Sequence, residues 1–436
     1  NEHFMWKLYK LTGDADFARA IYISNGYTSK GCFEGDITAE NPEELQAELD
    51  AVIHGNGCFL NQKSIDKQAW KLAVLHSGRG GDKRSMWIDY DSGGNHGHHD
   101  ALNIGIMAKG LDLMPDFGYP PVNRGGWDTP RFHWYIMPAS HNLVVVDGKS
   151  HINLPKGGFL NCPEYGKTTL WKIGDIYKAG YFKAPEYIGG KRYERLAVLI
   201  DLSEKDGYCF DVFRVEGGRE HARFTRSSFS TVKCGGLSLE ASKEYGYGTF
   251  MKNFKCDAKP ADCWSADFKI IDEFGVREEG ADVHLKYTGL TRGAEVSVCE
   301  SWIDLCDWAK IRKAGRGAGK TGGNAGKAGD DTEADEAWIP TIMERRTSEE
   351  DGLFSAFAGI YEPYEEKSNL LSVRRLELTD ENGNSVPDSN VGVEVKTVNG
   401  FKDILIAKDP EYPGTVCFGR FISDGSCFTF YRQTEE

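Results

Sequence analysis

No stretch of this 436-residue sequence approaches the ~20 consecutive apolar residues that a membrane-spanning helix needs. The shortage leaves no candidate for a helical span and predicts a chain that folds in water with no membrane partner. Positive charge is also scarce: 52 Lys and Arg face 66 Asp and Glu, a net charge of −14. Nucleic-acid binding needs a basic surface for the phosphates, so that class of partner is excluded. An anionic sugar is not excluded, because a local group of Arg and His in a cleft can oppose the overall sign. The eleven cysteines are an odd number with no C-x-x-C spacing, which rules out zinc-ribbon and redox-motif readings. Cys256 with Cys263, and Cys417 with Cys427 across a hairpin, are the pairs placed for a disulfide or two in an exported protein. An initiator Met is missing as well. The chain begins Asn1-Glu2-His3 without a basic or apolar leader, as expected of a processed product or a fragment.

What is present is patterned for sheets. The length predicts two or three structural units. Near the start, Phe4, Leu8, Leu11, Phe17 and Ala18 recur at helical spacing, with a break and fresh cap at Thr12-Gly13-Asp14. A second helix is expected around 42–53, where Asn41-Pro42-Glu43-Glu44 puts Pro and acids in the first turn. From about Lys67 onward, β-branched and aromatic runs divided by Gly and Asp turns predict short strands through to 431. There is no βα alternation, which argues against Rossmann and TIM-type folds. The expected fold is mainly β: a large antiparallel β-sandwich behind a short α-helical N-terminal segment. Residues 314–335 are Gly, Ala and charge without apolar anchors, so a mobile loop is expected there. The Gly319-Lys320-Thr321 within it is not a phosphate loop, because Ala314 stands where the first Gly is required and no apolar strand leads in.

The chemistry concentrates in Gly94-Asn95-His96-Gly97-His98-His99-Asp100-Ala101-Leu102. Three imidazoles and a carboxylate within five residues cannot belong to an apolar core face. In an extended segment His96, His98 and Asp100 would point one way and His99 the other. Two imidazoles at i and i+2 are half of a metal site. Candidates for a third ligand are Asp116, after the turn at Lys109-Gly110, and His141, in Ser140-His141-Asn142. A His-His-Asp set with one open position is the pattern of a catalytic metal site. The plain alternative is a polar turn with surface histidines. A cupin, the rival for H-x-H in a β protein, needs a Glu soon after the second His, and Ala101–Ile106 contains none.

His96-Gly97-His98-x-Asp100-Ala101-Leu102, then Lys109-Gly110, Asp116-x-Gly118-Tyr119, Ser140-His141-Asn142 and Val145-Val146-Asp147-Gly148 resemble, in order and spacing, the heparinase II/III-like family. The resemblance is concentrated in residues 70–150. It implies the β-sandwich portion of a polysaccharide lyase, a class that includes heparin, heparan-sulfate and alginate-oligosaccharide lyases. It implies His96 as the catalytic histidine, and His98, Asp116 and His141 as ligands of zinc or a similar divalent ion that mainly holds the site together. Ser77-Gly78 would lead into the site. The implied reaction is β-elimination on a uronic-acid-containing acidic polysaccharide, a glycosaminoglycan or an alginate among the candidates.

Asn95, Arg79, Arg131 and Trp127 are the expected substrate-binding residues, because Arg pairs with carboxylate or sulfate and aromatic rings stack on sugars. Trp134 and Tyr135 are either near the site or plain core. Lys83 and Arg84 either line the cleft or solvate a hairpin tip. Residues 1–65 would be a helical remnant of the family's α/α toroid, most of which the chain lacks. Residues 66–345 would be the β-sandwich with the metal site, and 346–436 a smaller β domain. A periplasmic or secreted location and a homo-oligomer fit this reading. Its rival is a non-catalytic carbohydrate-binding or scaffolding sandwich with a structural metal. A metal-dependent hydrolase, with Asp128 as base, ranks last.

Overall fold

The structure, a computed structural model, describes residues 2–92, 97–116, 118, 129–151, 166–188, 191–304, 336–423 and 425–434. His96, Asn95, Trp127, Asp128 and the 314–335 segment lie outside the described residues. The chain divides into two compact units, Asn1–Lys63 with Gly78–Gly81, and Ser64–Ser77 with Asp82–Glu436.

In the smaller unit, helix Glu2–Thr12 ends at Gly13, whose φ of 72° is left-handed. Helix Ala15–Ser24 restarts on the Asp14 side chain, which accepts from Asp16 N. Helix Pro42–Asn56 begins with Asn41 accepting from Glu44 N and Pro in the first turn. Their apolar faces meet at Trp6, Ala18, Ile21, Phe33 and Leu49.

The larger unit is mainly β, as the patterning predicts. Its central layer is an eight-stranded sheet. Two of its strands, Arg192–Asp201 and Gly207–Glu216, are buried along nearly their whole length. Alternate side chains serve opposite faces. Tyr193, Ala197, Leu199, Cys209, Phe213 and Val215 join the principal core. Leu196, Val198, Ile200, Tyr208, Phe210 and Val212 face a second core with Val391, Val393, Val395 and Leu405 of a four-stranded C-terminal sheet. The principal core also takes residues from a six-stranded sheet and from a five-stranded meander running from Ile65–Lys67 to Leu111–Asp112. Among the described residues the strand pairs are antiparallel, which leaves sandwich layers stacked through their side chains.

Several expectations are corrected here. The smaller C-terminal sheet starts at Leu370 rather than 346. Strand Glu336–Thr347 instead pairs with Glu295–Asp304, and Phe354–Glu365 is an inner strand of the eight-stranded sheet. The Gly-rich segment therefore interrupts a hairpin and marks no domain edge. Cys256, Cys263, Cys417 and Cys427 are free thiols. Arg84 neither lines a cleft nor caps a tip: its guanidinium is buried against Asp201 at 2.5 Å. Among the described residues no helix is long and apolar enough to cross a membrane.

Candidate metal centre and its pocket

The strand pair Arg84–Asp89 and Asn103–Ala108 brackets the His98 segment, which is a loop and not the extended run expected. The loop turns on Asp100, whose carbonyl accepts from Asn103 N at 2.8 Å, with Leu102 at a left-handed φ of 62°. This turn carries His98 and Asp100 to one side. His99 leaves them: its backbone N–H donates to Ile136 O at 2.8 Å and its ring meets Ser150 Oγ. Asp116 follows strand Leu111–Asp112. His141 follows the short 3-10 turn Pro138–Ser140 that comes after helix Pro130–Ile136.

These segments bring His98, Asp100, Asp116 and His141 together, with one ligand-type atom of each within 4.8 Å of the others. His98 Nδ1 lies 2.9 Å from His141 Nε2. Asp116 oxygens lie 3.6 Å from His98 Nδ1 and 3.3 Å from His141 Nε2. His141 Nδ1 faces Met137 O at 3.0 Å, which assigns the ring proton to Nδ1 and leaves the Nε2 lone pair bare toward the cluster. With metal–ligand bonds near 2.0–2.1 Å, the edge of a tetrahedron is about 3.3 Å. The three observed separations bracket that value, so the donor set fits a small divalent ion of the zinc type. Asp100, placed by sequence on the histidine face but not among the ligands, is the fourth group of the cluster.

Burial and pairing set the charges. Burial opposes ionisation of Asp116, but hydrogen bonds to His141 and His98 outweigh it and hold its carboxyl well below the usual range. Burial likewise opposes a charged His98, and the Asp116 hydrogen bond and charge reverse that shift upward. Asp100, almost fully buried, is pushed up to about 6 by desolvation.

A rigid frame holds the loops. Asn103 is 1% exposed; its Oδ1 accepts from Asn142 N at 3.0 Å and its Nδ2 donates to Asp116 Oδ2 at 3.3 Å. Arg195 Nη1 donates to both Leu102 O and Asn142 O at 2.6 Å, tying the His98 loop to the His141 loop. The Arg195 fork is neutralised by Asp211 at 2.8 and 2.7 Å.

Beside the cluster is a small pocket of about 20 Å³, lined by Asp116, His141, Trp134, Tyr135, Arg226 and Trp302 among others. Trp134 and Tyr135 thus serve both of their expected roles, buried in the core and lining the pocket. Arg131 sits over the Trp302 ring at 5.1 Å, next to this pocket. Arg79 belongs to the smaller unit. Arg226 is the pocket residue that sequence reasoning missed. It is 2% exposed, donates from Nη2 to Ala139 O, and its Nε and Nη1 have no hydrogen-bond partner among the described residues. Its strand, Glu220–Arg226, reads as polar, yet all seven residues are buried. An alternation of charged and apolar residues in a run this short gave no signal of an inner strand.

Residues 84–170 match the family described as heparinase II/III-like, C-terminal. No curated protein matches the sequence significantly. Among solved structures, a heparinase III resembles the chain with a TM-score of 0.50 at 10% identity, covering 89% of this chain and 44% of that one. A heparan sulfate lyase from Pedobacter heparinus does so with a TM-score of 0.50 at 11% identity, covering 88% of this chain and 47% of that one. At these identities the likeness is one of fold, and this chain spans less than half the length of either structure. The segment that matches in sequence contains the loops that carry His98, Asp116 and His141, so residues 84–170 resemble the heparinase II/III-like, C-terminal family within a β-sandwich fold like that of these lyase structures.

Proposed function

We propose that this chain is the metal-bearing β portion of a polysaccharide lyase that cleaves uronic-acid-containing acidic polysaccharide by β-elimination, in the periplasm or outside the cell. The convergence of His98, Asp116 and His141 beside a pocket lined by an unsatisfied buried guanidinium carries this reading. His98, Asp116 and His141 would hold zinc or a similar divalent ion, which when bound supplies a fixed positive charge that pins the three side chains together.

The chemistry needed of the protein is narrow. A proton leaves the carbon α to the uronate carboxylate, and the electron pair forms a double bond as the glycosidic oxygen departs with the bond electrons. The carboxylate must be neutralised while carbanion-like charge develops. Arg226, whose Nε and Nη1 have no hydrogen-bond partner among the described residues, lines the pocket and is suited to pair with that carboxylate. His96 and Asn95 share that neutralisation in this proposal, with Arg79, Arg131 and Trp127 as further sugar contacts. The base that takes the proton is not assigned to a residue of this chain.

The test is incubation of the chain with heparan sulfate, alginate and other uronans, read by ultraviolet absorbance of the unsaturated product and by calorimetric binding of a uronate hexasaccharide. The proposal expects uronate binding, about tenfold weaker for Arg226→Gln, with product wherever the base is also supplied. Binding that is indifferent to Arg226, with no product, supports a non-catalytic carbohydrate-binding module instead. Neither binding nor product contradicts both.

A further inference from the structure

The face of the six-stranded sheet that bears the metal-site pocket continues into a second cleft. Odd-numbered positions along Glu295–Asp304 and Glu336–Thr347 share one face. Ser301 and Ile339, paired with each other, line the metal-site pocket. Ser297 and Met343, also paired, line a separate cleft of about 490 Å³. The two pairs are four residue steps apart along the strands, about 13 Å.

A loop, residues 242–249, covers this second cleft. It is pinned by Ser242 N donating to Phe254 O at 3.0 Å and by Thr249 Oγ1 donating to Tyr245 O at 2.8 Å. Two tyrosines on the loop are at odds with a purely structural part. Tyr245 is 6% exposed, its ring packs edge-on against Phe224, and its hydroxyl is buried with no hydrogen-bond partner among the described residues. A buried hydroxyl left unpaired costs free energy, and each such group in a folded protein calls for an explanation. Tyr247 stands 55% exposed at a left-handed φ of 64°, a strained conformation for a bulky residue. One side of its ring is held against Gly148, where an added Cβ would lie 2.3 Å from the ring. Gly148 closes the Val145-Val146-Asp147-Gly148 motif, at the far end of the strand Val144–Val146 from His141. The motif thus has a structural consequence away from the metal cluster: it seats a flat aromatic platform at the mouth of the cleft.

The cleft's charges are nearly spent. Arg345 is held by Glu220 and by Glu295, the latter at 3.1 Å, which leaves the exposed Lys243 and Glu244 as opposite charges at the rim. An anionic sugar gains little there. The Tyr247 ring packs against Tyr245 at 5.1 Å and against Gly148 but stays more than half exposed, and with a buried hydroxyl and a mixed polar rim it suits an uncharged pyranose, stacked on the ring and hydrogen-bonded at its edge.

We propose that this cleft is a second saccharide site, for a neutral pyranose unit, with Tyr247 as its stacking platform and Tyr245 Oη as its buried hydrogen-bonding group. It rests on the proposed function only in taking a glycan as the ligand. Binding of a neutral β-linked glucan hexasaccharide and of a uronate hexasaccharide is measured by calorimetry on the full chain. The variants are Tyr247→Ala, Tyr245→Phe and His98→Ala, each checked for unchanged circular dichroism. The neutral glycan is expected to bind the parent chain and His98→Ala alike, and about tenfold more weakly to Tyr247→Ala and to Tyr245→Phe. Tyr245→Phe removes a hydroxyl that makes no hydrogen bond among the described residues, so a structural role would leave binding unmoved. No binding of the neutral glycan, or binding indifferent to both tyrosines, overturns the second site. Uronate binding that depends on Arg226 and not on Tyr247 would do so while leaving the proposed function standing.

Discussion

Replacing Arg195 by Met should be among the most damaging single changes in the molecule. The side chain has no exposed surface. It makes four polar contacts, two to the backbone carbonyls of Leu102 and Asn142 and two to Asp211. Met keeps much of the stem's packing and removes the charge. Breaking a buried ion pair by deleting one partner costs about 3–5 kcal/mol. Asp211 retains Arg223 Nη2 at 2.6 Å, which brings that term toward its lower end. The two carbonyls lose their guanidinium donor, at about 1 kcal/mol each or somewhat more. We expect a loss of about 4–5 kcal/mol, read from the shift of the urea midpoint followed by far-ultraviolet circular dichroism, with the slope held constant. Arg195→Lys keeps a charge for Asp211 but lacks the planar fork that spans both carbonyls, so it should lose about half as much. An Arg195→Met chain within about 1 kcal/mol of the parent would refute the assignment of this guanidinium as the clamp between the two loops.

Asn103→Leu removes the amide that joins Asp116 to the His141 segment, and should weaken zinc binding about 10- to 100-fold in a chelator competition while the fold persists. Burial works against ionised Asp409, but Arg192, at 3.1 and 2.8 Å, outweighs it and holds the carboxyl at about 2. A depressed carboxyl stabilises the folded chain above pH ~4, and that contribution disappears as the pH falls toward 2. It should amount to about 1–2 kcal/mol, less than the full shift because water reaches part of the pair. Asp409→Asn should flatten the urea midpoint's dependence on pH across that window. Gly359→Ala would place a Cβ 2.2 Å from the buried Tyr287 ring in an inner strand. Overpacking there should cost about 1–3 kcal/mol, visible as a lower thermal midpoint.

The sheet-rich character, the two helical starts and the crowding of His98, Asp100, Asp116 and His141 were legible because each leaves a local mark. Asn41-Pro42-Glu43 caps a helix by its own chemistry, and the His98 segment crowds groups that no apolar face accepts. The strand Glu220–Arg226 was not legible. Arg223 and Arg226 are buried there only because Asp211 and the Ala139 carbonyl, distant in sequence, meet them. Residues 97–100 form a loop that runs into the Asp100–Asn103 turn and not a strand, yet His98 and Asp100 share the side that alternation expected while His99 turns away. The C-terminal boundary was misplaced because a Gly-rich segment looks like a domain edge in sequence, while the strands on either side of it pair with each other. Arg226, whose Nε and Nη1 are unpaired among the described residues and carry much of the proposed chemistry, stands in no motif that a single sequence reveals.

The central claim is that His98, Asp116 and His141 form a metal centre. Elemental analysis of the chain purified without chelators, beside His98→Ala, tests it most directly. The account predicts about one divalent ion of the zinc type per chain, lost in His98→Ala with circular dichroism unchanged. Metal absent from both proteins, or retained in full by His98→Ala, would contradict it.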